Sequence, residues 1–564
     1  MFRNPSPLAV TLTLSAVLPF LAQRSVTVVV ALFLGLGAGL VSPVVARDDD
    51  NDTPPLKNVI LISLDSVRAD HLSLYGYPRR TTPLIEAHLE EHGGIVFDKT
   101  SAVAPSCHPS HTTILSGLYP QQTGVPWCGE DLIVRLSDMD EEEEIEDLED
   151  FQEDFENQPL RLKQKKISAV MNFLKIPADL ETLATYLQGK SFRTGGFVGI
   201  WTVTKRFGYD RGFDVYEDKM SEYYGPTLLA PLLKYTFRTQ RRQPAEKAVD
   251  GALTFLEETP KDERFFVFLQ LADTHVPYAA PDDIHFDEES QEDLDAVRER
   301  QQERYPEENY DKALKKMKAG KKGFMLDAYD RSIKHSDAQI GRVLDYLQQS
   351  GRLDETLVVI TADHGDSMGQ HSYLYRPKKG KLFFEHSVYL WEETQHIPLV
   401  ILDPAGPGEV FHRQINASQV DIVPTIVSRL GFDYRSFGTS ALPGVDLLAM
   451  RDRPRNVYFL TFGRGKPGLL KKGKLNFPTF IGFRRGDIKF VVDQNRFKSP
   501  RKGRCFLFDL EADPNELVNQ CDFDHPEIEE RVLRYRSQLV DWYSASVAER
   551  FKKKAALAEE LGEE

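Results

Sequence analysis

Three short apolar runs in this chain each stop at an acidic residue. Residues 59–64 (Val-Ile-Leu-Ile-Ser-Leu) precede Asp65, residues 265–271 (Phe-Phe-Val-Phe-Leu-Gln-Leu) precede Asp273-Thr274-His275, and residues 357–361 (Leu-Val-Val-Ile-Thr) precede Asp363-His364. Runs of this length with little polar alternation fit strands covered on both faces, as in a parallel sheet. Residues 398–402 read as a fourth such strand. Helical patterns at 180–188, 245–256 and 327–349 fall between the runs. Strands alternating with helices predict an α/β fold, with a large mixed, mostly parallel sheet flanked by helices. In such sheets ligands gather beyond the carboxyl ends of the strands, so the polar residues at those ends are the first functional candidates.

The rest of the chain divides around this core. Residues 4–23 and 25–46 carry no charge and are separated by Arg24. Each is about the ~20 residues that a membrane span needs. Val44-Val45-Ala46 before Arg47 fits a small-residue cleavage signal. Residues 1–55 therefore read as a signal peptide or membrane anchor plus linker, with a buried helix of a cytosolic protein as the alternative. The first reading makes the protein exported, either periplasmic or extracellular, or held at a membrane through this segment only. Residues 56–450 form the expected α/β catalytic domain. From 451 to 564, strand-like runs at 457–462, 479–483, 488–492 and 506–510 predict a smaller C-terminal antiparallel sheet with a helical tail.

Charge is unevenly placed. Residues 138–156 hold 13 acidic and no basic side chains, so most of the net charge of −16 belongs to one segment. Basic residues Arg161, Lys163, Lys165 and Lys166 follow. The 130–176 insertion reads as a solvated helix or disordered loop, or else as a lid or docking element around Ile145, Leu148, Phe151 and Phe155. Residues 284–323 are also charge-rich and expected at the surface. The acidic balance argues against a nucleic-acid partner. Four cysteines in 564 residues exclude a disulfide-dense scaffold. Cys107 with Cys128, and Cys505 with Cys521, are one of three possible pairings.

Asp65, Asp363 and His364 together offer two carboxylates and an imidazole at one sheet edge, a donor set that suits a divalent cation. A single Asp at a strand end also fits a helix N-cap. Between these strand ends lies Ala104-Pro105-Ser106-Cys107-His108-Pro109-Ser110-His111. It places Cys107 near a helix N-terminus, where the dipole and open N–H groups attract anions. A lone cysteine also fits as a small buried hydrophobe.

At this point the chain resembles the sulfatase family of the alkaline-phosphatase superfamily. The resemblance runs from about residue 59 to 522, apart from the insertions. Leu64-Asp65-Ser66-Val67-Arg68-Ala69-Asp70-His71 is similar to the family's first metal motif. Cys107-x-Pro109-Ser110, with Leu115-Ser116-Gly117-Leu118-Tyr119-Pro120, resembles its nucleophile motif. Arg211-Gly212-Phe213-Asp214, Asp273-Thr274-His275-Val276-Pro277-Tyr278, Thr361-Ala362-Asp363-His364-Gly365-Asp366, and 506–513 with Pro514 resemble further family segments, all in family order.

The resemblance implies an alkaline-phosphatase-like fold and hydrolysis of small-molecule or glycan sulfate esters. It implies that Asp65, Asp363 and His364 bind one divalent metal, with Ser66 as a further ligand. Ca2+ is favoured by the family, while the chemistry also admits Mg2+, Mn2+ or Zn2+. Cys107 would be oxidised to formylglycine by a formylglycine-generating enzyme. His275 would contact the sulfate or leaving oxygen, and His386 would help bind the ester. The chain departs from the family at His111, which stands where the nucleophile motif carries Arg, and at 197–200 (Phe-Val-Gly-Ile), where a Lys is usual. Alternatives on the same scaffold are a phosphodiester or phosphonate hydrolase, a phospho-group transferase, and a catalytically inactive binding protein.

Overall fold

The structure, a computed structural model, describes residues 56–125, 175–219, 242–372, 382–462, 470–493 and 504–561, with short breaks inside these spans. The N-terminal segment 1–55, the acidic run and Cys128 lie outside the described residues.

The strands are β1 (Asn58–Leu64), β2 (Gly94–Ser101), β3 (Arg193–Val198), β4 (Val215–Glu217), β5 (Phe265–Leu271), β6 (Thr356–Ala362), β7 (Ser367–Ser372), β8 (Leu382–Glu385), β9 (Leu399–Leu402) and β10 (Val410–Ser418). The central sheet has the order β10-β2-β9-β6-β1-β5-β3-β4, while β7 and β8 pair separately as an antiparallel ribbon. The three runs that end in acidic residues are neighbours: β5 and β6 flank β1, both parallel to it. All three are buried along their whole length. Alternate residues feed two cores. Val59, Leu61, Phe266, Phe268, Leu357 and Val359 face the side of helix α2 (Cys107–Ser116). Ile60, Ile62, Val267, Leu269, Val358 and Ile360 face helices α1 (Pro83–His92), α3 (Ala245–Glu258) and α4 (Leu326–Gln349). Each large aliphatic side chain buried this way contributes about 1.5–3 kcal/mol.

One strand runs the other way from expectation. The run at 398–402 forms β9 but pairs antiparallel with both β6 and β2. After β6 the chain stays at the carboxyl edge, building the β7–β8 ribbon and a four-residue helical turn (Glu392–Gln395). With no crossover helix among the described residues to carry it back to the amino edge, its next strand returns antiparallel.

The expected C-terminal sheet is present. It comprises β11 (Val457–Thr461), the short pair β12 (Leu470–Lys471) and β13 (Lys474–Leu475), then β14 (Phe480–Arg485), β15 (Ile488–Asp493) and β16 (Cys505–Asp509). The four longer strands are antiparallel in the order β11-β14-β15-β16. Helix α5 (Pro526–Leu561) packs Val532, Leu539, Tyr543 and Val547 on one face. Phe383, Tyr389 and Trp391 pack on the other, joining this sheet to the site-bearing half. Thr53–Glu564 is a single compact unit. Among the described residues, no helix is long and apolar enough to cross a membrane.

Two bonds in this region carry testable consequences. Cys505 and Cys521 form a disulfide with Cα atoms 5.9 Å apart and a sequence separation of 16. Closing a loop of that length stabilises the native state by about 3 kcal/mol. The C505A/C521A variant is therefore expected to unfold at markedly lower denaturant concentration. His371 is stacked on Trp391 at 4.2 Å and bonded through Nδ1 to Glu393 Oε1 at 2.9 Å. Burial pulls this imidazole down, but Glu393 prevails and holds it above the usual value, while Glu393 is held below its own. A raised histidine stabilises fully below its unfolded pKa of about 6.5 and loses that contribution as pH rises through the folded value. The Tm difference between wild type and His371→Ala is thus expected to be larger at pH 6 than at pH 9.

Candidate active site

The strand register places the tips of β1, β5 and β6 level, with Leu64 opposite both Leu271 and Ala362. Just beyond, the Asp65 N–H donates to the Leu271 carbonyl (2.9 Å) and the Asp363 N–H to the Leu64 carbonyl (3.2 Å). Neither carboxylate caps a helix. Instead, Asp363 Oδ1 accepts the backbone N–H groups of Ser66 (2.9 Å) and His364 (2.8 Å). Asp65 Oδ1 accepts the Ser66 hydroxyl at 3.0 Å, and Oδ2 accepts the Gln270 amide at 3.1 Å.

Ser66 thus touches both carboxylates of the cluster, its N–H bonded to Asp363 and its hydroxyl to Asp65. Its backbone is in the left-handed region, φ 58°, which costs a non-glycine residue on the order of 1 kcal/mol or more. That turn lets one residue orient both carboxylates. Tyr329 on α4 holds it there by donating to the Ser66 carbonyl (2.7 Å) and accepting the Arg68 N–H (3.0 Å).

Cys107 is the first residue of α2 and is buried. It carries a thiol, with Sγ 3.3 Å from His364 Nε2 and 4.0 Å from Asp65 Oδ1. His364 Nδ1 lies 2.8 Å from the Gly365 carbonyl. A carbonyl accepts only, so the ring proton sits on Nδ1 and the Nε2 lone pair faces the sulfur. One turn along α2, His111 Nδ1 donates to the Cys107 carbonyl at 2.8 Å, and Nε2 lies 3.1 Å from the Ser63 hydroxyl. It thus pins the first turn of α2 to β1, beneath the nucleophile position. His275 donates Nδ1–H to the Val276 carbonyl (2.7 Å). The His386 ring lies between two others, with centroids 4.3 Å from His364 and 5.2 Å from His275.

The electrostatics favour a cation. Burial, then the neighbouring Asp363, pushes Asp65 up to about 6, and burial pushes Asp363 up to about 7. Burial holds His364, His111 and His275 below the usual histidine value, so all three are neutral at pH 7. Asp363 Oδ2 is buried with no hydrogen-bond partner of ordinary geometry and faces the Cys107 thiol. Donor atoms of Asp65, Cys107, Asp363 and His364 all lie within 4.8 Å of one another. That spread is about twice a calcium–oxygen bond. The cluster accordingly fits one divalent ion, which would neutralise the repelling carboxylates and engage the orphaned oxygen.

A sulfatase family model matches residues 57–432. The chain belongs to the sulfatase family. It is a sulfuric ester hydrolase. It is similar to an arylsulfatase of Clostridium perfringens, 25% identical over 519 residues covering 86% of this chain and 93% of the relative. Among solved structures it is similar to the yidJ sulfatase of Bacteroides fragilis (TM-score 0.59, 16% identity, covering 89% of this chain and 98% of that one). It is also similar to a protein solved with its substrate D-glucosamine-2-N,6-O-disulfate (TM-score 0.51, 17% identity, covering 88% and 98%). Metal and formylglycine chemistry is general to sulfatases.

The structure brings Asp65, Cys107, Asp363, His364, His275 and His386 to one place and sets His111 and Ser66 just behind them. Sequence reasoning passed over Gln270, Tyr329, Tyr278 and Asp366. Gln270 ties Asp65 to the chain segment where the family carries Lys, because its Oε1 accepts the Gly199 (2.8 Å) and Ile200 (3.0 Å) N–H groups. Tyr278 and Asp366 had left a sequence signal, each as the last residue of a segment that resembles the family.

Proposed function

We propose that this sulfatase hydrolyses a glycan or small-molecule sulfate ester, using formylglycine made from Cys107 as the nucleophile. The observation that carries the reading is the Cys107 sulfur seated in the cluster of Asp65, Asp363 and His364 at the strand tips. The substrate class is supported by the arylsulfatase relative and by the structural neighbour that takes a sulfated glucosamine.

Asp65, Asp363, His364 and the side chain at 107 would hold the metal, with Ca2+ favoured by the two carboxylates. When bound, the ion lowers the pKa of the attacking hydroxyl and polarises the sulfuryl oxygens. Formylglycine supplies a geminal diol, a nucleophile that can also release the group it accepts. The chain's own residues do the rest. The N-terminus of α2 presents backbone N–H groups and a positive dipole end to the anionic group. His275 and His386 line the side where charge would grow on the sulfuryl and leaving oxygens; a ring that keeps its single proton on Nδ1 offers an Nε2 lone pair there, and donates to those oxygens only when doubly protonated. His111 keeps the residue at 107 in register with β1.

Conversion of Cys107 would require a formylglycine-generating enzyme that accepts His111 in place of Arg. The exported location read from the uncharged segments 4–23 and 25–46 remains part of this proposal, and the Cys505–Cys521 disulfide, a bond typical of oxidising compartments, supports it. The activity is tested by parallel turnover of an aryl sulfate, an aryl phosphate diester and a phosphonate ester, since sulfuryl and phosphoryl transfer call on similar electrostatics. A higher kcat/KM for the sulfate is expected. Preference for either phosphorus ester, or no turnover of any, would overturn the reading.

A further inference from the structure

Asp366 is fully buried, and its two carboxylate oxygens are spent on two groups of the site. Oδ1 accepts from His386 Nδ1 at 3.2 Å, and Oδ2 accepts the Tyr278 hydroxyl at 3.2 Å. Tyr278 in turn rests against Tyr329 with ring centroids 5.0 Å apart, and Tyr329 is the clamp on Ser66. The Asp366 carbonyl is held from behind by Arg68 Nη1 at 3.2 Å. The carboxylate is therefore a fixed post. It joins the segment after β5, which carries His275, to the segment after β8, which carries His386. A ring nitrogen of His386 lies within 4.8 Å of Cys107 Sγ.

A carboxylate accepts only, so the bond to Asp366 fixes a proton on His386 Nδ1 and sets the ring plane. With the ring plane set, the His386 nitrogen within reach of Cys107 Sγ is held in a fixed position. A histidine on a loop without such a partner keeps its χ torsions and its choice of tautomer, and ordering both at each turnover costs rate.

We propose that Asp366 is a positioning residue of the sulfuryl-transfer site, braced by Tyr278, which locks His386 as the Nδ1-protonated ring and fixes that ring beside the group transferred at position 107. The inference rests on the sulfatase reading above for its kinetic consequence, but not for its geometry.

The test is a double-mutant cycle on the metal-loaded enzyme, with metal content measured for every variant. Asp366→Ala is expected to lower kcat/KM for an aryl sulfate by about 10–100-fold, the usual cost of losing such an outer partner, with metal content unchanged. Asp366→Asn keeps an oxygen that accepts from Nδ1 and is expected to restore most of the loss. In a His386→Ala background, Asp366→Ala should cost less than about threefold, because its effect has no ring to act through. An equal cost in both backgrounds would overturn the proposal, as would loss of the metal in Asp366→Ala.

A second readout stands apart from activity. Nitrogen-15 spectra of the histidine rings are expected to show the His386 proton on Nδ1 in wild type and a mixture of tautomers in Asp366→Ala. The same tautomer state in both proteins would overturn the positioning role even in a fully active enzyme. Absence of sulfate ester turnover with the expected spectra would overturn the sulfatase reading alone.

Discussion

Asp363→Asn is expected to abolish divalent-metal binding and to lower aryl sulfate turnover by about 1,000-fold or more, with the fold intact. The reason lies in how the two oxygens of Asp363 are used. Oδ1 accepts the Ser66 and His364 N–H groups, and an asparagine oxygen can do the same. Only Oδ2, the buried atom that faces the Cys107 thiol, is replaced, by an NH2 that no cation will approach. Losing the ion removes several kcal/mol of transition-state stabilisation, and each 1.36 kcal/mol is tenfold in rate. Stability should move the other way in metal-free protein. Asp363 is raised to about 7 in the fold, against about 3.9 unfolded. The folded state therefore binds the extra proton, and its stability falls as pH rises between those values. Above pH 7, chelator-treated Asp363→Asn is expected to melt no lower than chelator-treated wild type. Metal analysis, kinetics and thermal melts check the three parts. Full turnover with stoichiometric metal would exclude this metal centre.

Cys107→Ala is expected to be the most damaging single change to chemistry, with a loss of about 10,000-fold or more in kcat, because nothing else in the cluster can form the covalent link. Asp65, Asp363 and His364 keep their places through bonds that do not involve the sulfur: Gln270 and Ser66 hold Asp65, Ser66 holds Asp363, and the Gly365 carbonyl holds His364. Metal binding should consequently survive in weakened form. The variant should also bind sulfate esters without turning them over, which makes it a trap for identifying the substrate by equilibrium binding.

The sheet was legible where both faces are buried. In β1, β5 and β6 every residue is covered, so hydrophobicity alone marks them. β10 was not seen, since Phe411, His412 and Gln414 are exposed at its outer half and break the apolar run. β3 was hidden by Gly195 and Gly196. A Cβ at Gly196 would lie 2.5 Å from the Tyr216 ring, so the strand needs glycine where propensity argues against one. β9 was legible as a strand but not in direction, which follows from the chain staying at the carboxyl edge after β6.

In the site, Asp65, Asp363 and His364 were legible because chemistry at strand tips has few other uses. The roles of Ser66, Gln270 and Tyr329 were not. The first depends on a left-handed backbone, and the others on side chains 205 and 263 residues from their partners. His111 stood out as a departure from the family motif. That it braces the Cys107 carbonyl against Ser63 is a property of one helical turn lying over β1, which no local pattern reports.

The central claim is that the side chain at 107 is converted from thiol to aldehyde within this cluster. Mass spectrometry of the peptide spanning Cys107, from enzyme produced with a formylglycine-generating enzyme and titrated for active sites, tests it most directly. The expected result is the aldehyde mass in proportion to the active fraction. A fully active preparation in which residue 107 is an unmodified thiol, or is crosslinked to Cys128, would contradict the account.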